Sequence, residues 1–137
     1  MRPLDLTTVY ATFAAGGVQH RTHFVTEVSD DAGNQLYRVT ESTTSAFDPD
    51  IAVSREISSR ITGVLKENTA CPGAVCHATH YQDATGLKSH AWATGYTDRL
   101  AITVLVTTPA PAAPEVKATI EAAGLPQSIW QAFAATA

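Results

Sequence analysis

The residues of this sequence that could do chemistry are concentrated around two cysteines. Cys71 and Cys76 are the only cysteines of the chain, and His77 and His80 follow closely. Thiolates and imidazoles are ligands that Zn²⁺ prefers, but this cysteine spacing is not a usual zinc form, and the two histidines would lie on opposite faces of a strand. Cysteines this near in sequence favour a small disulfide loop and an oxidising compartment, with two free thiols as the alternative.

A second combination, of hydroxyl, imidazole and carboxylate, can be assembled from Ser89, His90 and Asp83. No nucleophile elbow surrounds the serine, and almost any chain contains such a set, so these residues do not by themselves predict a hydrolase. The five histidines (residues 20, 23, 77, 80 and 90) are scattered, and we expect them at the surface. The sequence predicts neither a metal site nor a cofactor.

The element that must organise the core is a predicted β-hairpin. Its strands are Ala91–Tyr96 and Leu100–Thr107, joined by the turn Thr97-Asp98-Arg99. Trp92 and Tyr96 are an even number of residues apart, so they share one face of the first strand. The second strand is almost entirely apolar and rich in β-branched residues, a pattern typical of a strand buried on both faces. Such a strand needs layers on both of its faces.

Helical periodicity, turn residues and capping signals predict the remaining elements. They are a helix over Pro3–Ala15, a hairpin over Thr22–Thr40, a polar linker over Glu41–Ser45, a helix over Asp48–Asn68, a strand over Val75–Tyr81, a proline-alanine connector over Thr107–Pro114, and short helices over Glu115–Ala123 and Gln127–Ala135. The order predicts one α+β domain, residues 1–137. In it an antiparallel sheet of three main strands (Val75–Thr107) packs with helices, including the C-terminal pair over Glu115–Ala135, and a small hairpin stands apart.

The predicted helices carry apolar stripes that we expect to cover the sheet. The stripes are Leu6, Val9, Tyr10 and Phe13 in the first helix, Ile57, Ile61, Val64 and Leu65 in the second, and Ile129, Trp130 and Phe133 in the last. Asp48 is the predicted N-cap of the second helix, with Pro49 at its first position. Gly16-Gly17 is predicted to end the first helix, because glycine adopts the left-handed conformation at little cost.

Charge and hydropathy exclude several classes of protein. The 137 residues carry a net charge of −4 with no basic cluster, which argues against nucleic-acid binding. No apolar run is long enough to cross a bilayer, and no targeting signal opens the sequence. The composition is that of a globular chain of one domain.

Four passages, in this order, resemble the class A (bifunctional) penicillin-binding proteins. They are PLDLTTVYATFAAGG, FDPDIA…ITGVLKENTA, HAWATGYTDRLAITVLV and GLPQSIWQAFAATA. The first is similar to the helix after the family's second active-site motif, and the second to the helix that leads into its third. The other two are similar to the hairpin after the third motif and to the closing helix. The resemblance implies the C-terminal part of a penicillin-binding, β-lactamase-like transpeptidase fold.

The catalytic motifs of that family are missing or altered here. The family uses a serine with a lysine three residues later, an S-x-N loop and K-T-G on a strand. This sequence contains no S-x-x-K and no S-x-N, as expected of a chain that begins after them. The family spacing places Tyr81-Gln82-Asp83-Ala84 at the third motif, followed by Thr85-Gly86, whereas a shorter loop would align Ala84-Thr85-Gly86 with K-T-G. On either alignment the lysine is absent, so we expect a degenerate substrate site and no acylation chemistry.

Three hypotheses follow. In the first, the chain is the C-terminal segment of a transpeptidase domain for peptidoglycan cross-linking on the extracytoplasmic side of the membrane, with the N-terminal half of such a domain, or a self-association partner, against it. The second is a stand-alone, non-catalytic module that binds a peptidoglycan stem peptide or a partner. The third is an unrelated small hydrolase or metal protein. In the family, the strand matching Leu100–Thr107 lies mid-sheet beside strands from the N-terminal part, so we expect an exposed edge here.

Overall fold

The computed structural model describes residues 2–82, 89–107 and 124–136. Its elements are α1 (Pro3–Ala14), β1 (Val18–His20), β2 (Glu27–Ser29), β3 (Gln35–Arg38), β4 (Thr43–Ser45), α2 (Ile51–Glu67), β5 (Val75–Gln82), β6 (Ser89–Tyr96), β7 (Ala101–Thr107) and α3 (Leu125–Ala134). The predicted connector beyond Thr107 and the predicted helix Glu115–Ala123 lie outside the described residues. Within the described ranges, no helix has the length and apolar character needed to span a membrane.

The main sheet is the predicted antiparallel one, and β6 is its central strand. Val75 at the start of β5 lies opposite Tyr96 at the end of β6, and Ala101 at the start of β7 lies opposite the same tyrosine on the other side. The prediction that the last strand is buried on both faces was wrong. Among the described residues β7 is an outer strand, and it is half-buried from Ala101 to Val106. Among the described elements β7 pairs only with β6, and its apolar side chains pack against α1 and α3.

Helices cover the two faces of the sheet, because side chains alternate between faces along each strand. The face under α3 carries Cys76, Ala93, Ile102 and Val104. Trp130 of α3 packs on this face and is only 1% exposed. On the opposite face, the ring of Tyr96 meets Tyr10 of α1 with centroids 6.3 Å apart. The sheet is therefore enclosed between α1 and α3.

Small polar residues hold α2 against the end of α1. Ser54 and Ser58 are fully buried, and their hydroxyls donate to the Gly17 carbonyl at 2.9 Å and to the Phe13 carbonyl at 3.1 Å. Each of these carbonyls also accepts a backbone N–H, from Gly16 to Phe13 and from Ala46 to Gly17, so the serines add a second bond to each acceptor and give the two buried hydroxyls a partner. Gly17 has φ +82°, and a Cβ there would lie 2.6 Å from the Ser54 carbonyl oxygen. Conformation and space both require glycine at this position.

Three residues predicted to be buried are exposed instead. Val9 is 46% exposed, and Val64 and Phe133 are each 62% exposed. In α2 the serine face, not the aliphatic stripe alone, turns toward α1. In α3 the sheet contact is made by Trp130 and Ala134, one turn apart, which leaves Phe133 beside the contact.

The predicted start of α2 is also corrected. The N-cap is Asp50, whose carboxylate accepts from the Ala52 N–H at 2.8 Å. Asp48 lies in the turn before the helix, where its carboxylate accepts the Asp50 N–H at 2.8 Å. Asp48 and Asp50 are both residue types that cap helices. Because proline favours the first helical position, Pro49 favoured Asp48 as the N-cap, and this prediction was wrong.

The polar linker predicted over Glu41–Ser45 was wrong in part. Thr43–Ser45 forms β4 and pairs antiparallel with β1, with Val18 opposite Ser45. The predicted hairpin over Thr22–Thr40 is present but shorter, as β2 and β3, and all seven of its strand residues are exposed. The β1–β4 ribbon lacks the apolar alternation by which a strand is recognised in sequence.

Candidate functional site

Two of the six residues predicted at the third motif, Tyr81 and Gln82, lie where β5 ends. Tyr81 is opposite His90 and Gln82 is opposite Ser89, so both residues lie at the end of the β5–β6 pair where β5 ends and β6 begins. Asp83–Gly86 are outside the described residues, and both alignments of the motif therefore stay predictions. We call this end of the sheet the motif end.

The opposite end of the sheet, here the bridged end, contains the two cysteines. Cys71 and Cys76 form a disulfide with Cα atoms 5.5 Å apart, and they are 2% and 0% exposed. Seven residue steps along β5 separate the two ends by about 23 Å. The sulfurs are bonded to each other and are not thiolate ligands in this structure. In the part of the chain that is described, no group of three potential metal-ligating side chains comes together.

A single hydroxyl organises the bridged loop. Thr69 Oγ1 accepts from the backbone N–H of Cys71 at 3.2 Å and from that of Cys76 at 2.9 Å, and it lies 3.0 Å from the Ala74 carbonyl oxygen. The Ala70 N–H donates to the Cys76 carbonyl at 2.9 Å. Buried backbone groups of a loop need such partners, because an unpaired one costs about 1–3 kcal/mol.

Helix α3 fastens this loop to the rest of the sheet. The indole Nε1 of Trp130 donates to the Ile102 carbonyl at 3.1 Å, and the Gln127 side chain donates to the Ala70 carbonyl at 2.9 Å. The Gln131 amide lies 3.8 Å from Cys71 Sγ. One helix therefore contacts β7, the loop and the disulfide at once.

Aromatic and hydroxyl groups fill the other face of the bridged end. Tyr96 OH lies 2.8 Å from Thr62 Oγ1, and Tyr10 lies against both Tyr96 and His77. Burial, and then the nearby Tyr96, raise the pKa of Tyr10, so its hydroxyl stays neutral at neutral pH. His77 Nδ1 is buried and has no hydrogen-bond partner among the described residues. This cluster has hydrogen-bonding groups but no activated nucleophile.

A cavity of about 540 Å³ borders the cluster between the ends of α1 and α2, the bridged loop and the β6–β7 turn. Lys66 and Asp98 bring one charge of each sign to its lining, beside Thr62 and Tyr96. It lies at the bridged end, and neither Tyr81 nor Gln82 is among its lining residues.

One hydrogen bond in the β6–β7 turn shows which backbone groups of β7 point away from β6. The Thr97 N–H donates to the Leu100 carbonyl at 2.8 Å. Hydrogen-bonded pairs alternate along an antiparallel ladder, so the Gly95–Ile102 pair is bonded and the Tyr96–Ala101 pair is not. The N–H and C=O groups of Ala101, Thr103 and Leu105 therefore point away from β6.

The same alternation can be checked on the other outer strand. It predicts that the N–H and C=O of Cys76 point away from β6. The observed bonds of these groups, to Thr69 Oγ1 and to the Ala70 N–H, agree with this. The outer side of β5 is thus capped at the bridged end by the loop, whereas no such cap is described along β7.

Several residues that hold the site together were not predicted. Thr62, Thr69, Ser54 and Ser58 are polar, and apolar periodicity ignores polar residues on a buried face. The i, i+4 spacing of Ser54 and Ser58, beside a helix that ends in Gly16-Gly17, was the one available signal for a close helix contact.

The architecture is that of a penicillin-binding, transpeptidase-like fold. A crystal structure of penicillin-binding protein A from Mycobacterium tuberculosis matches 94% of this chain, with a TM-score of 0.56 and 18% identity. The structure titled as its imipenem acyl-enzyme complex matches 91%, with a TM-score of 0.53 and 17% identity. The matches cover 32% and 30% of those chains and show the fold.

Sequence relatives give the same assignment. Penicillin-binding protein 1A of Mycolicibacterium smegmatis is 33% identical over 96% of this chain, and that of Mycobacterium tuberculosis is 32% identical over 96%. Penicillin-binding protein 4 of Bacillus subtilis is 28% identical over 96%. No family model matches the chain. The chain is a homologue of one segment of the penicillin-binding proteins, which confirms the resemblance, and it spans 18% and 17% of the length of the first two relatives.

Proposed function

We propose that this chain is the C-terminal segment of a D-alanyl-D-alanine transpeptidase domain that acts in peptidoglycan cross-linking, and that it does not catalyse acylation alone. Homology to penicillin-binding proteins supports the domain assignment. The sequence supports the catalytic part of the proposal, because it contains neither S-x-x-K nor S-x-N and has no lysine at the third motif. Without an activated serine there is no nucleophile for the acyl step.

The observation that carries the proposal is the outer side of β7, along which none of the described strands pairs. Ala101, Thr103 and Leu105 direct N–H and C=O groups outward from a half-buried, apolar strand. An exposed edge of this kind is a template for a further strand. In our proposal the N-terminal half of the transpeptidase domain supplies that strand, and the present chain forms the substrate-side wall of the completed sheet.

The disulfide supports an extracytoplasmic location. Cys71 and Cys76 are bonded and buried under α3. Structural disulfides persist in oxidising compartments and are rare in the cytosol. Thiol titration of exported protein under denaturing conditions should find no free cysteine, and two titratable thiols would remove this support.

Amide hydrogen exchange tests the proposed partner residue by residue. In the isolated chain the Ile102 and Val104 amides, which bond to β6, should exchange slowly, and the Thr103 and Leu105 amides should exchange quickly. Adding the N-terminal half of the M. smegmatis transpeptidase domain should slow Thr103 and Leu105 selectively. If they are already as slow as their neighbours in a monomeric chain, another segment covers the edge and the proposed partner is wrong.

Two proline variants form a matched pair for this test. Thr103→Pro removes an outward donor and should block the complex. It also removes the hydroxyl that lies 2.9 Å from Thr94 Oγ1, so a moderate loss of stability is expected while the β6–β7 backbone ladder stays intact. Val104→Pro removes a donor to β6 and should disrupt the sheet itself. A Thr103→Pro chain that still binds the N-terminal half would show that β7 is not the docking edge.

A labelled β-lactam tests the catalytic part separately. The isolated chain should form no covalent adduct, and in the complex the label should fall on the N-terminal half. Mass spectrometry distinguishes the two. A stoichiometric, site-specific adduct on the isolated chain would overturn the proposal that it cannot be acylated.

The second candidate function is a stand-alone, non-catalytic module that binds a peptidoglycan peptide or a protein partner. The observation favouring it is that α1 and α3 already close both faces of the sheet. This candidate predicts a stable monomer in which the exchange of Thr103 and Leu105 does not respond to the N-terminal half.

A further inference from the structure

A polar pocket lies between α1 and the β1–β4 ribbon, far in sequence from both ends of the main sheet. Its volume is about 390 Å³. We call it the hydroxyl pocket, and its lining residues are Thr8, Gln19, His20, Arg21, Thr22, Ser42 and Thr44. Four of the seven bear hydroxyls, and none is a carboxylate. The pocket takes no part in the function proposed above.

The ribbon places donors side by side on one face. Gln19 lies opposite Thr44, and the Arg21 N–H donates to the Ser42 carbonyl at 3.3 Å, which continues the register by two residues. Residues two apart on a strand share a face, so Gln19 and Arg21 stand next to Thr44 and Ser42. The result is a guanidinium, a carboxamide and two hydroxyls directed to one side.

Helix α1 completes the wall of the pocket. Thr8 Oγ1 lies 3.3 Å from Thr22 Oγ1, which brings a helix hydroxyl against the segment just after β1. The Thr8 hydroxyl donates its proton to the Leu4 carbonyl at 2.9 Å, so it closes the wall and does not serve as a donor to a ligand. The hydroxyls of Ser42 and Thr44 can rotate to donate to an oxygen-rich ligand.

The charge of Arg21 is the second, independent observation. Arg2, Arg38 and Arg60 each form an ion pair with a carboxylate. Among the described residues Arg21 and Arg55 form none, and of these two only Arg21 lines the pocket. Within the described part of the chain, the Arg21 guanidinium has neither an ion pair nor a hydrogen bond. The nearby carboxylate of Glu41 lies 3.6 Å from His23. The lining of the pocket therefore contains the guanidinium of Arg21 and no carboxylate, in a chain whose net charge is −4.

From this arrangement we infer that the hydroxyl pocket binds a small oxyanion, a phosphate or carboxylate group, with Arg21 as its main ligand. A guanidinium recognises such groups through two parallel N–H donors, and neighbouring hydroxyls and a carboxamide can satisfy the remaining oxygens. A single unpaired arginine gives a weak site for a small anion and not a surface for nucleic acid.

Titration of the isotope-labelled 137-residue chain with inorganic phosphate, and separately with acetate, tests the inference by ¹H–¹⁵N NMR. The Gln19, Arg21, Ser42 and Thr44 amides should shift together and saturate in the millimolar range. Saturation with phosphate only, with acetate only, or with both would each support the site and would tell which oxyanion class it prefers. Affinity should fall as salt is added, because the contact is exposed and screened.

Substitution decides whether the pocket is responsible. Arg21→Gln should weaken binding about tenfold or more, and Ser42→Ala should weaken it by a few-fold. Arg55→Gln is the matched control, because Arg55 is an exposed arginine on α2 that also has no ion pair among the described residues, and it should leave binding unchanged. Equal binding by Arg21→Gln, shifts spread over all arginines without saturation, or no local shift would overturn the inference. This test is independent of the proposed function. If the chain failed to bind the N-terminal half of a transpeptidase domain in the hydrogen-exchange experiment, the expected binding of phosphate or acetate would not change.

Discussion

The same cross-strand pair, valine opposite tyrosine, occurs at two places in this molecule with opposite burial. At the bridged end Val75 faces Tyr96, and the two are 1% and 7% exposed. In the β2–β3 hairpin Val28 faces Tyr37, and they are 42% and 50% exposed. A local pairing rule treats the two alike. The comparison shows that burial is decided by the layers that fold over a strand pair.

The two regions also differ in what holds them. The bridged end combines a disulfide, the Thr69 hydroxyl and helices on both faces. The hairpin is held at its tip by Asp30, whose carboxylate accepts the N–H groups of Ala32 at 3.0 Å and Asn34 at 2.7 Å. A two-stranded hairpin is only marginally stable by itself. We therefore expect the bridged end to control global unfolding and the hairpin to open locally.

The largest effect is expected from Trp130→Ala. The indole is 1% exposed and also donates to the Ile102 carbonyl, so its removal leaves a cavity and removes a hydrogen bond. We expect a loss of about 4 kcal/mol in the free energy of unfolding, measured by denaturant titration. Phe133→Ala on the same helix is the control, and at 62% exposure it should change stability by less than about 0.5 kcal/mol. Similar losses for both would mean that α3 does not pack as described.

Gly95→Ala and Gly33→Ala distinguish two reasons why a glycine can be required: lack of space for a side chain and an unusual backbone conformation. A Cβ on Gly95 would lie 2.0 Å from the Val75 carbonyl oxygen, so β5 and β6 must move apart, and we expect a loss of about 3 kcal/mol. Gly33 at the hairpin tip has φ +82°, and a Cβ added there would meet no atom within 4 Å, so only the conformational cost of about 1 kcal/mol applies. Thermal unfolding with local NMR reports both. If Gly33→Ala were the more damaging, the hairpin and not the bridged end would limit stability.

Substitution of the two valines tests directly whether the buried and the exposed valine–tyrosine pairs differ in their contribution to stability. Val75→Ala should cost about 2 kcal/mol, because it empties buried volume between strand and helix. Val28→Ala should cost less than about 0.5 kcal/mol, because its side chain already meets water. The two substitutions remove the same atoms opposite the same residue type. Equal losses in denaturant unfolding would show that the hairpin is covered by a layer in solution.

The sequence was informative where apolar periodicity and turn chemistry agreed. The antiparallel β5–β6–β7 sheet and the α+β class were predicted and are confirmed. The expectation of an unpaired edge came from the family resemblance, whereas the apolar run alone had suggested burial on both faces; among the described strands β7 is an outer one. Composition cannot distinguish contact with helices from contact with another strand.

Other features could not be predicted because polar residues carry them. The β1–β4 ribbon is built from residues such as Gln19 and Thr44, which give no strand signal when both faces meet solvent. Thr69 and Ser54 are buried for the hydrogen bonds that they make to backbone groups distant in sequence. For the candidate site, spacing located Tyr81 and Gln82 at the end of a strand, but spacing alone cannot choose between two alignments of the residues that follow.

The smallest effect concerns acid and is confined to the hairpin tip. The pKa of Asp30 is lowered, first by the hydrogen bond from the Asn34 side chain and then by backbone N–H donors. A group whose folded pKa is depressed stabilises the fold above its unfolded pKa, which for aspartate is about 3.9, and this contribution is lost as the pH falls through the folded pKa. The tip should therefore loosen only in strong acid.

Amide chemical shifts of Ala32 and Asn34, followed against pH, measure this opening, with the Cys76 amide as the reference for the bridged end. The hairpin amides should titrate with a midpoint below about 3.9 while the reference amide stays unchanged, because the buried loop around Thr69 contains no carboxylate. Asn34→Ala removes the largest cause of the shift and should move the midpoint upward. A wild-type midpoint at or above the ordinary aspartate value would show that the tip bonds do not persist in solution. If the chemical shift of the Cys76 amide changed at the same pH, the hairpin and the bridged end would unfold as one cooperative unit. The exposed and the buried valine–tyrosine pairs would then not differ in local stability.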